Sequence, residues 1–209
     1  MTGGLLPCPN FPIPTFLEIL MANVLIPIAD GTEEMEAVIT ADILRRAQLD
    51  VCMASVMPGR KLVTASRGVK IEADTLLNQC LEQQWDLIVL PGGMPGAAHL
   101  HDSTDLIRLL RRQIAEERWL AAICAAPAVV LGRHNLIPLA TATGFPGTQQ
   151  ELATRVAKVV QDPVVVDGRL ITSQGPGTAM AFALKLVELL CGTDVAEETA
   201  KALVYRYQG

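Results

Sequence analysis

The sequence predicts an α/β fold with a mostly parallel sheet and helices on both of its faces. Three observations carry this. Short apolar runs alternate with longer segments of helical periodicity. The connections between them are brief and carry Gly, Pro or Asp. Half of the 209 residues are hydrophobic but only 4% are aromatic, so the core is built from Ala, Val, Leu and Ile.

Asn23–Ala29 is an apolar strand that ends in the turn signal Asp30-Gly31. Glu33–Gln48 is helical through Met35, Val38, Ile39, Ile43 and Leu44. Acids stand in its first turn and Arg45 and Arg46 in its last, as the helix dipole prefers. Val51–Val56 is a second strand. Lys61–Ala65 and Val69–Ala73, joined through Ser66-Arg67-Gly68, form an antiparallel excursion. Thr75–Gln84 is weakly helical. Asp86–Leu90 is a core strand, followed by Pro91-Gly92-Gly93-Met94-Pro95-Gly96. Thr104–Glu117 is an amphipathic helix and Trp119–Ile123 a strand. Ala126–Arg133 is a helix, Ala140–Thr143 a strand and Thr148–Thr154 a short helix. Ala157–Val160 and Val164–Val166 are strands. Asp167-Gly168 turns the chain into Leu170–Thr172. Gly175-Pro176-Gly177-Thr178 opens a long helix to Leu190, and Asp194–Tyr205 is the last helix.

Residues 1–20 differ from the rest. They are Pro-rich and lack Lys and Arg, so they do not fit a secretory signal. Met21 stands directly before the first strand and reads as a more natural start. Residues 1–20 are expected to be a start-site artefact or a flexible arm, and residues 21–209 a single domain. No apolar run approaches the roughly 18 residues of a membrane span. The net charge of −5, with no basic tract, argues against nucleic acid as a primary partner. Five scattered cysteines without C-x-x-C argue against a disulfide framework and for a reducing, cytoplasmic compartment. His99-x-His101 lacks the spacing for two ligands on one helix face, which argues against a metal site.

The chemistry concentrates at three strand ends: Asp30–Glu36, Pro91–Gly96 and Cys124–Pro127. In open α/β sheets, ligands bind at such ends. Trp119–Ile123 stops at Cys124, and a helix begins within a few residues. A strand that turns sharply into a helix presents the turn side chain above the sheet. The helix N-terminus favours the anionic thiolate, so Cys124 is a candidate nucleophile; the competing reading is a buried small hydrophobe. Pro127 fits the first helical turn. Gly92-Gly93 is neither a P-loop nor a dinucleotide fingerprint. It is either an ordinary tight turn or a backbone that aims an N–H into the cleft. In the second case Gly93 and the N–H of Ala125 would form an oxyanion hole. Glu33 and Glu34 read as surface charges at the start of the first helix. Glu36 falls at a different angle, and a dry pocket beside a thiol would raise its pKa.

Four segments occur in order: Ala-Asp-Gly-Thr-Glu-Glu-Met-Glu (29–36), Val-Leu-Pro-Gly-Gly (89–93), Ala-Ala-Ile-Cys-Ala-Ala-Pro (121–127) and Thr-Ser-Gln-Gly-Pro-Gly-Thr (172–178). Together they resemble the ThiJ/PfpI superfamily, in particular the branch of the Parkinsonism-associated deglycase and its bacterial YajL/ThiJ-like relatives. The resemblance covers about Met21 to Tyr207. It implies a flavodoxin-like three-layer sandwich and a homodimer. It also implies that Cys124 is an oxidisable nucleophile whose sulfur is hydrogen-bonded by Glu36, with Gly93 and Ala125 as backbone donors. Arg46 and Arg67 match basic residues near the dimer cleft. Gly92, Phe145 and Pro176 match the substrate site, with Pro176 lining it from the partner subunit. Two positions depart from relatives with a histidine base. Ala125 replaces a His directly after the cysteine, and Phe145 replaces a His in the Thr-x-Pro stretch. His134 reads as a surface residue.

The resemblance implies a cofactor-free enzyme acting on small aldehydes such as methylglyoxal and glyoxal, or on their protein or nucleotide adducts. The alternative is a redox-sensing stress protein or holdase chaperone that uses oxidation of the same cysteine. For that role Cys52 and Cys80 are the candidates to approach Cys124 and resolve a sulfenate. Without a His general acid, amide hydrolysis is disfavoured.

Overall fold

The computed structural model describes residues 21–207, so the reading of residues 1–20 lies outside the described residues. The strands in chain order are β1 (Asn23–Ile28), β2 (Asp50–Ser55), β3 (Leu62–Thr64), β4 (Lys70–Glu72), β5 (Thr75–Leu76), β6 (Leu87–Leu90), β7 (Trp119–Ile123), β8 (Thr141–Ala142), β9 (Lys158–Val159), β10 (Val164–Asp167) and β11 (Leu170–Ser173). The α-helices are α1 (Glu34–Arg46), α2 (Gly96–Asp102), α3 (Thr104–Ala115), α4 (Gln149–Ala153), α5 (Ala179–Cys191) and α6 (Thr193–Ala202).

Seven strands form the main sheet in the order β10-β11-β7-β6-β1-β2-β5. All pairs are parallel except the β10–β11 hairpin at one edge. This is the doubly wound flavodoxin-like order. The chain runs from β1 outward to β2 and β5, then returns to the other side of β1 for β6, β7 and β11. The order therefore reverses between β1 and β6, and the crevice above their carboxyl ends is where such folds bind ligands. β1, β6 and β7 read as unbroken apolar runs because both sheet faces are covered. On one side α1 packs on α5, and α5 on α6. Elsewhere α2 packs on α3, and α3 on β7.

β3 and β4 form a separate antiparallel hairpin, as the excursion predicts. Other expectations are corrected. Thr75–Gln84 holds the short edge strand β5 and one 3₁₀ turn, Leu77–Gln79, instead of a helix. Its backbone is captured by β2, with Ala54 opposite Thr75. β8 and β9 pair only with each other. The predicted last helix overruns: α6 stops at Ala202, and Val204 adopts a φ of 55°. α2 is hidden in the sequence because Gly and Pro at its start read as a loop.

Phe182 in α5 is fully buried and lies in the core. Phe182→Ala is expected to cost about 3–5 kcal/mol, measured by urea unfolding.

Candidate active site

Cys124 follows β7 directly and has a φ of 65°, a left-handed conformation that non-glycine residues rarely adopt. The surroundings hold it there. Its N–H donates to the Ser173 carbonyl at 3.0 Å, and its carbonyl accepts the Phe145 N–H at 2.7 Å. The chain then enters a π-helical segment, Pro127–Gly132, with Pro127 in its first turn. The α-helix expected over Ala126–Arg133 is thus wound more widely, with Arg133 N–H on the Ala128 carbonyl.

Glu36 lies in the first turn of α1 and is fully buried. Its Oε2 accepts the Gly92 N–H at 2.7 Å, while Oε1 has no hydrogen-bond partner other than what the thiol offers. The β1–α1 loop that delivers it is clamped from both sides. Gly31 N–H bonds Thr64 O at 2.8 Å, Ser66 N–H bonds Thr32 O at 2.8 Å, and Glu33 N–H bonds Gly92 O at 3.0 Å. Two glycines make the close approach possible. A Cβ on Gly92 would fall 2.6 Å from the Cys124 Cβ. Gly93 has a φ of 83°, and a Cβ there would strike Glu33 N at 2.4 Å. The N–H groups of Gly93 and Ala125 both donate to the Cys124 sulfur.

Burial pushes the Glu36 carboxyl up to about 7, aided by the charge of Glu33 and opposed by the Gly92 N–H. Burial, and then ionised Glu36, push the Cys124 thiol up to about 12, against the pull of the Gly93 and Ala125 donors. The thiol is therefore not drawn toward thiolate by the helix end alone, as the sequence suggests. The two groups titrate as a pair, and the last proton sits between them. When Glu36 carries it, the opposing charge is gone and its O–H can face the sulfur. Cys124 is 8% exposed and opens onto a pocket of about 330 Å³. Ser66, Arg67, Glu33, Met94, Phe145 and Pro176 complete its wall. A sulfur set between a proton-holding carboxyl and two N–H donors can add to a carbonyl and stabilise the oxyanion that forms.

The sequence matches the DJ-1/PfpI family over residues 22–189. The chain belongs to that family. Protein DJ-1 homolog A of Arabidopsis thaliana is 44% identical over 184 residues, covering 88% of this chain and 47% of that protein. The chain thus spans about half the length of this relative. The Caenorhabditis elegans protein named glutathione-independent glyoxalase DJR-1.2 is 34% identical over 182 residues, covering 87% of this chain and 95% of that protein. A structure of oxidized Toxoplasma gondii DJ-1 superposes with a TM-score of 0.85 at 40% identity, covering 89% of this chain and all of that one (100%).

In this DJ-1/PfpI protein the structure brings together Cys124, Glu36, Gly93, Ala125, Arg67, Phe145 and Pro176. Two residues, Pro176 and Gly92, are placed differently from expectation, and Arg46, matched to the dimer cleft, stands apart from this pocket. Arg46 ends α1, about 15 Å along the helix from Glu36, and pairs with Asp42 at 2.6 Å. Pro176 lines the pocket of its own chain and needs no partner subunit to do so. Gly92 lies behind the sulfur, its N–H spent on Glu36, and does not line the pocket.

Glu33 and Glu34 are buried and not surface charges. Ser66 Oγ lies 2.7 Å from Glu33 and 2.8 Å from Glu34, and the Arg67 N–H reaches Glu34 at 2.9 Å. Burial alone would raise the Glu34 pKa, but these donors hold it below the ordinary value. His134 is half-buried, with its ring 4.4 Å from that of His101. Cys52 and Cys80 do not approach Cys124. Cys52 lies on β2, three strand spacings from β7 or about 14 Å, and Cys80 lies beyond β5. Among the described residues no three His, Cys, Asp or Glu side chains converge to hold a metal ion. No helix among them is long and apolar enough to cross a membrane.

Sequence reading missed Ser66 and Gly175. A Cβ on Gly175 would lie 4.0 Å from the Cys124 sulfur and 3.6 Å from the Phe145 ring, which is ordinary contact. Gly175→Ala is expected to leave stability within about 0.5 kcal/mol of wild type. Its added methyl roofs the sulfur, so alkylation of Cys124 by iodoacetamide, followed by peptide mass, is expected to slow several-fold.

Proposed function

We propose that this protein converts small α-oxoaldehydes, with methylglyoxal as the simplest, to α-hydroxy acids without glutathione or a cofactor. The observation that carries this reading is the buried Glu36 carboxyl against the Cys124 sulfur, with Gly93 and Ala125 donating from the other side. The sulfur adds to the aldehyde carbon as its proton passes to Glu36, and a hemithioacetal forms. The N–H groups of Gly93 and Ala125 stabilise the oxyanion. Glu36 then moves the aldehyde-carbon proton to the neighbouring carbonyl carbon through an enediol. The product is a thioester of a hydroxy acid, which water hydrolyses to free the thiol. No amine leaves, so no His acid is needed at Ala125 or Phe145. The glyoxalase name of the C. elegans relative supports this reading. The pocket exceeds the size of methylglyoxal and carries Arg67, which favours protein or nucleotide adducts of these aldehydes as further substrates.

The test is hydroxy-acid formation from methylglyoxal by the purified chain with neither glutathione nor cofactor added. Lactate accumulating with turnover supports the reading, and no lactate above the uncatalysed rate rejects it. We further propose a cytoplasmic homodimer. The half-exposed Met35 and Val38 on the outer face of α1 support the association, and sedimentation velocity tests it.

One observation favours a second use of the same cysteine. The donors that would hold an oxyanion can also hold the oxygens of a sulfinate, and a related DJ-1 is known in an oxidized form. Peroxide titration with intact mass would detect this as stoichiometric oxygen added at Cys124.

A further inference from the structure

We infer that Phe145 makes the Cys124 pocket select electrophiles that carry an aromatic group beside the reacting carbon, and among α-oxoaldehydes those with an aryl ketone. As to substrates, this rests on the α-oxoaldehyde reading above.

Phe145 is fixed through its backbone. Its N–H donates to the Cys124 carbonyl at 2.7 Å, so the ring is tied to the peptide group of the nucleophile itself. Its carbonyl accepts the Thr148 N–H at 2.8 Å and the Thr148 hydroxyl at 3.0 Å. Two glycines make room for the ring. A Cβ on Gly147 would meet it at 3.0 Å. A Cβ on Gly175 would lie 3.6 Å from the ring and 4.0 Å from the Cys124 sulfur, so ring and sulfur border the same space. Phe145 is nonetheless 43% exposed, and Met94, next after the donor Gly93, is 55% exposed. Both line the pocket, with Pro176 beside them.

The pocket therefore has two ends. Glu36 and the N–H groups of Gly93 and Ala125 surround the sulfur at the polar end. Phe145, Met94 and Pro176 form an apolar mouth. A ligand that matches both has a dicarbonyl at one end and a flat apolar group at the other. The methyl of methylglyoxal leaves the Phe145 ring and Met94 in water. A phenyl group in its place can stack on the ring and cover the thioether. The aryl group takes no part in bond making. Sulfur bonds to the aldehyde carbon, the carbonyl π pair moves to oxygen and the thiol proton passes to Glu36. Over the whole reaction the aldehyde carbon is oxidised by two electrons, the ketone carbon is reduced by two, and water supplies the acid oxygen. Contacts made equally before and during the reaction lower KM, so the preference belongs in KM.

The test compares phenylglyoxal with methylglyoxal on the full-length wild type, Phe145→Ala and Phe145→Leu, by mandelate and lactate formation. The phenyl-to-methyl ratio of kcat/KM is expected to fall about five- to tenfold in Phe145→Ala, mainly through the KM of phenylglyoxal. Phe145→Leu fills the space without a π face, and the ratio should fall there too, which covers the case in which the alanine variant does not fold. A ratio within twofold of wild type in a folded variant overturns the proposal. A second measurement needs no turnover. Cys124 is alkylated with N-phenylmaleimide and with N-ethylmaleimide, and the rates are read by peptide mass against glutathione as a free thiol. The wild type should favour the phenyl reagent several-fold beyond the glutathione ratio, and Phe145→Ala should lose that preference. If neither aldehyde is consumed, the α-oxoaldehyde reading fails, and the maleimide ratio still decides the role of Phe145. Equal maleimide ratios in the wild type and the variant overturn it.

Discussion

Cys124→Ala is expected to abolish lactate formation from methylglyoxal, with a loss of at least about 10³-fold in kcat/KM. The size of the effect follows from the route. Every later step acts on a carbon bound to this sulfur, so no partial pathway survives its removal. The variant should fold. The alanine keeps the Cβ that packs against Gly92 and the backbone bonds to Ser173 O and from Phe145 N–H. The left-handed φ of 65° is no easier for Ala than for Cys, so only a small stability change is expected. Thermal unfolding of both proteins separates loss of chemistry from loss of fold. Equal turnover in the two proteins would reject the covalent route.

The doubly wound sheet was legible because its strands are buried on both faces and announce themselves as apolar runs. The elbow at Cys124 was legible for a related reason: an apolar strand cannot pass into a helix within a few residues without a sharp turn. What the sequence could not convey was the neighbourhood of charges. Glu33 and Glu34 have the pattern of a solvated first turn. Their burial depends on Ser66 and Arg67, which arrive from a hairpin more than thirty residues away. The Cys124 surroundings were misjudged in the same way. The helix end was visible locally, but the charge of Glu36 and the burial that oppose the thiolate come from packing of β1, β6 and β7 ends. Pro176 shows the limit of reasoning by resemblance. A residue type carried over correctly says nothing about which chain presents it to the pocket. The two small strands β8 and β9 were found, yet their pairing away from the main sheet leaves no trace in their composition.

Glu36→Gln is expected to move activity and stability in opposite directions. The reactive form of the Glu36–Cys124 pair holds one proton, whether on sulfur or on the carboxyl. That form appears as pH rises through about 7 and persists until about 12. The wild-type kcat/KM should therefore rise with pH up to about 7 and then level off. Glutamine accepts no proton, so the variant should lose about 10²–10⁴-fold and the pH dependence near 7 with it. Stability goes the other way. The folded Glu36 pKa of about 7 lies above its ordinary 4.5, so burial favours the protonated carboxyl. Its contribution is complete below about pH 4.5 and is lost as pH rises through about 7. Ionised Glu36 then destabilises the fold by about 3 kcal/mol relative to the acid form. The substituted amide would still accept the Gly92 N–H through its carbonyl and would carry no charge. At pH 8 the Glu36→Gln variant should unfold at higher urea than wild type, and at pH 5 the gap should close. A variant that lost activity together with stability would instead place Glu36 as a structural strut, with no part in moving the proton.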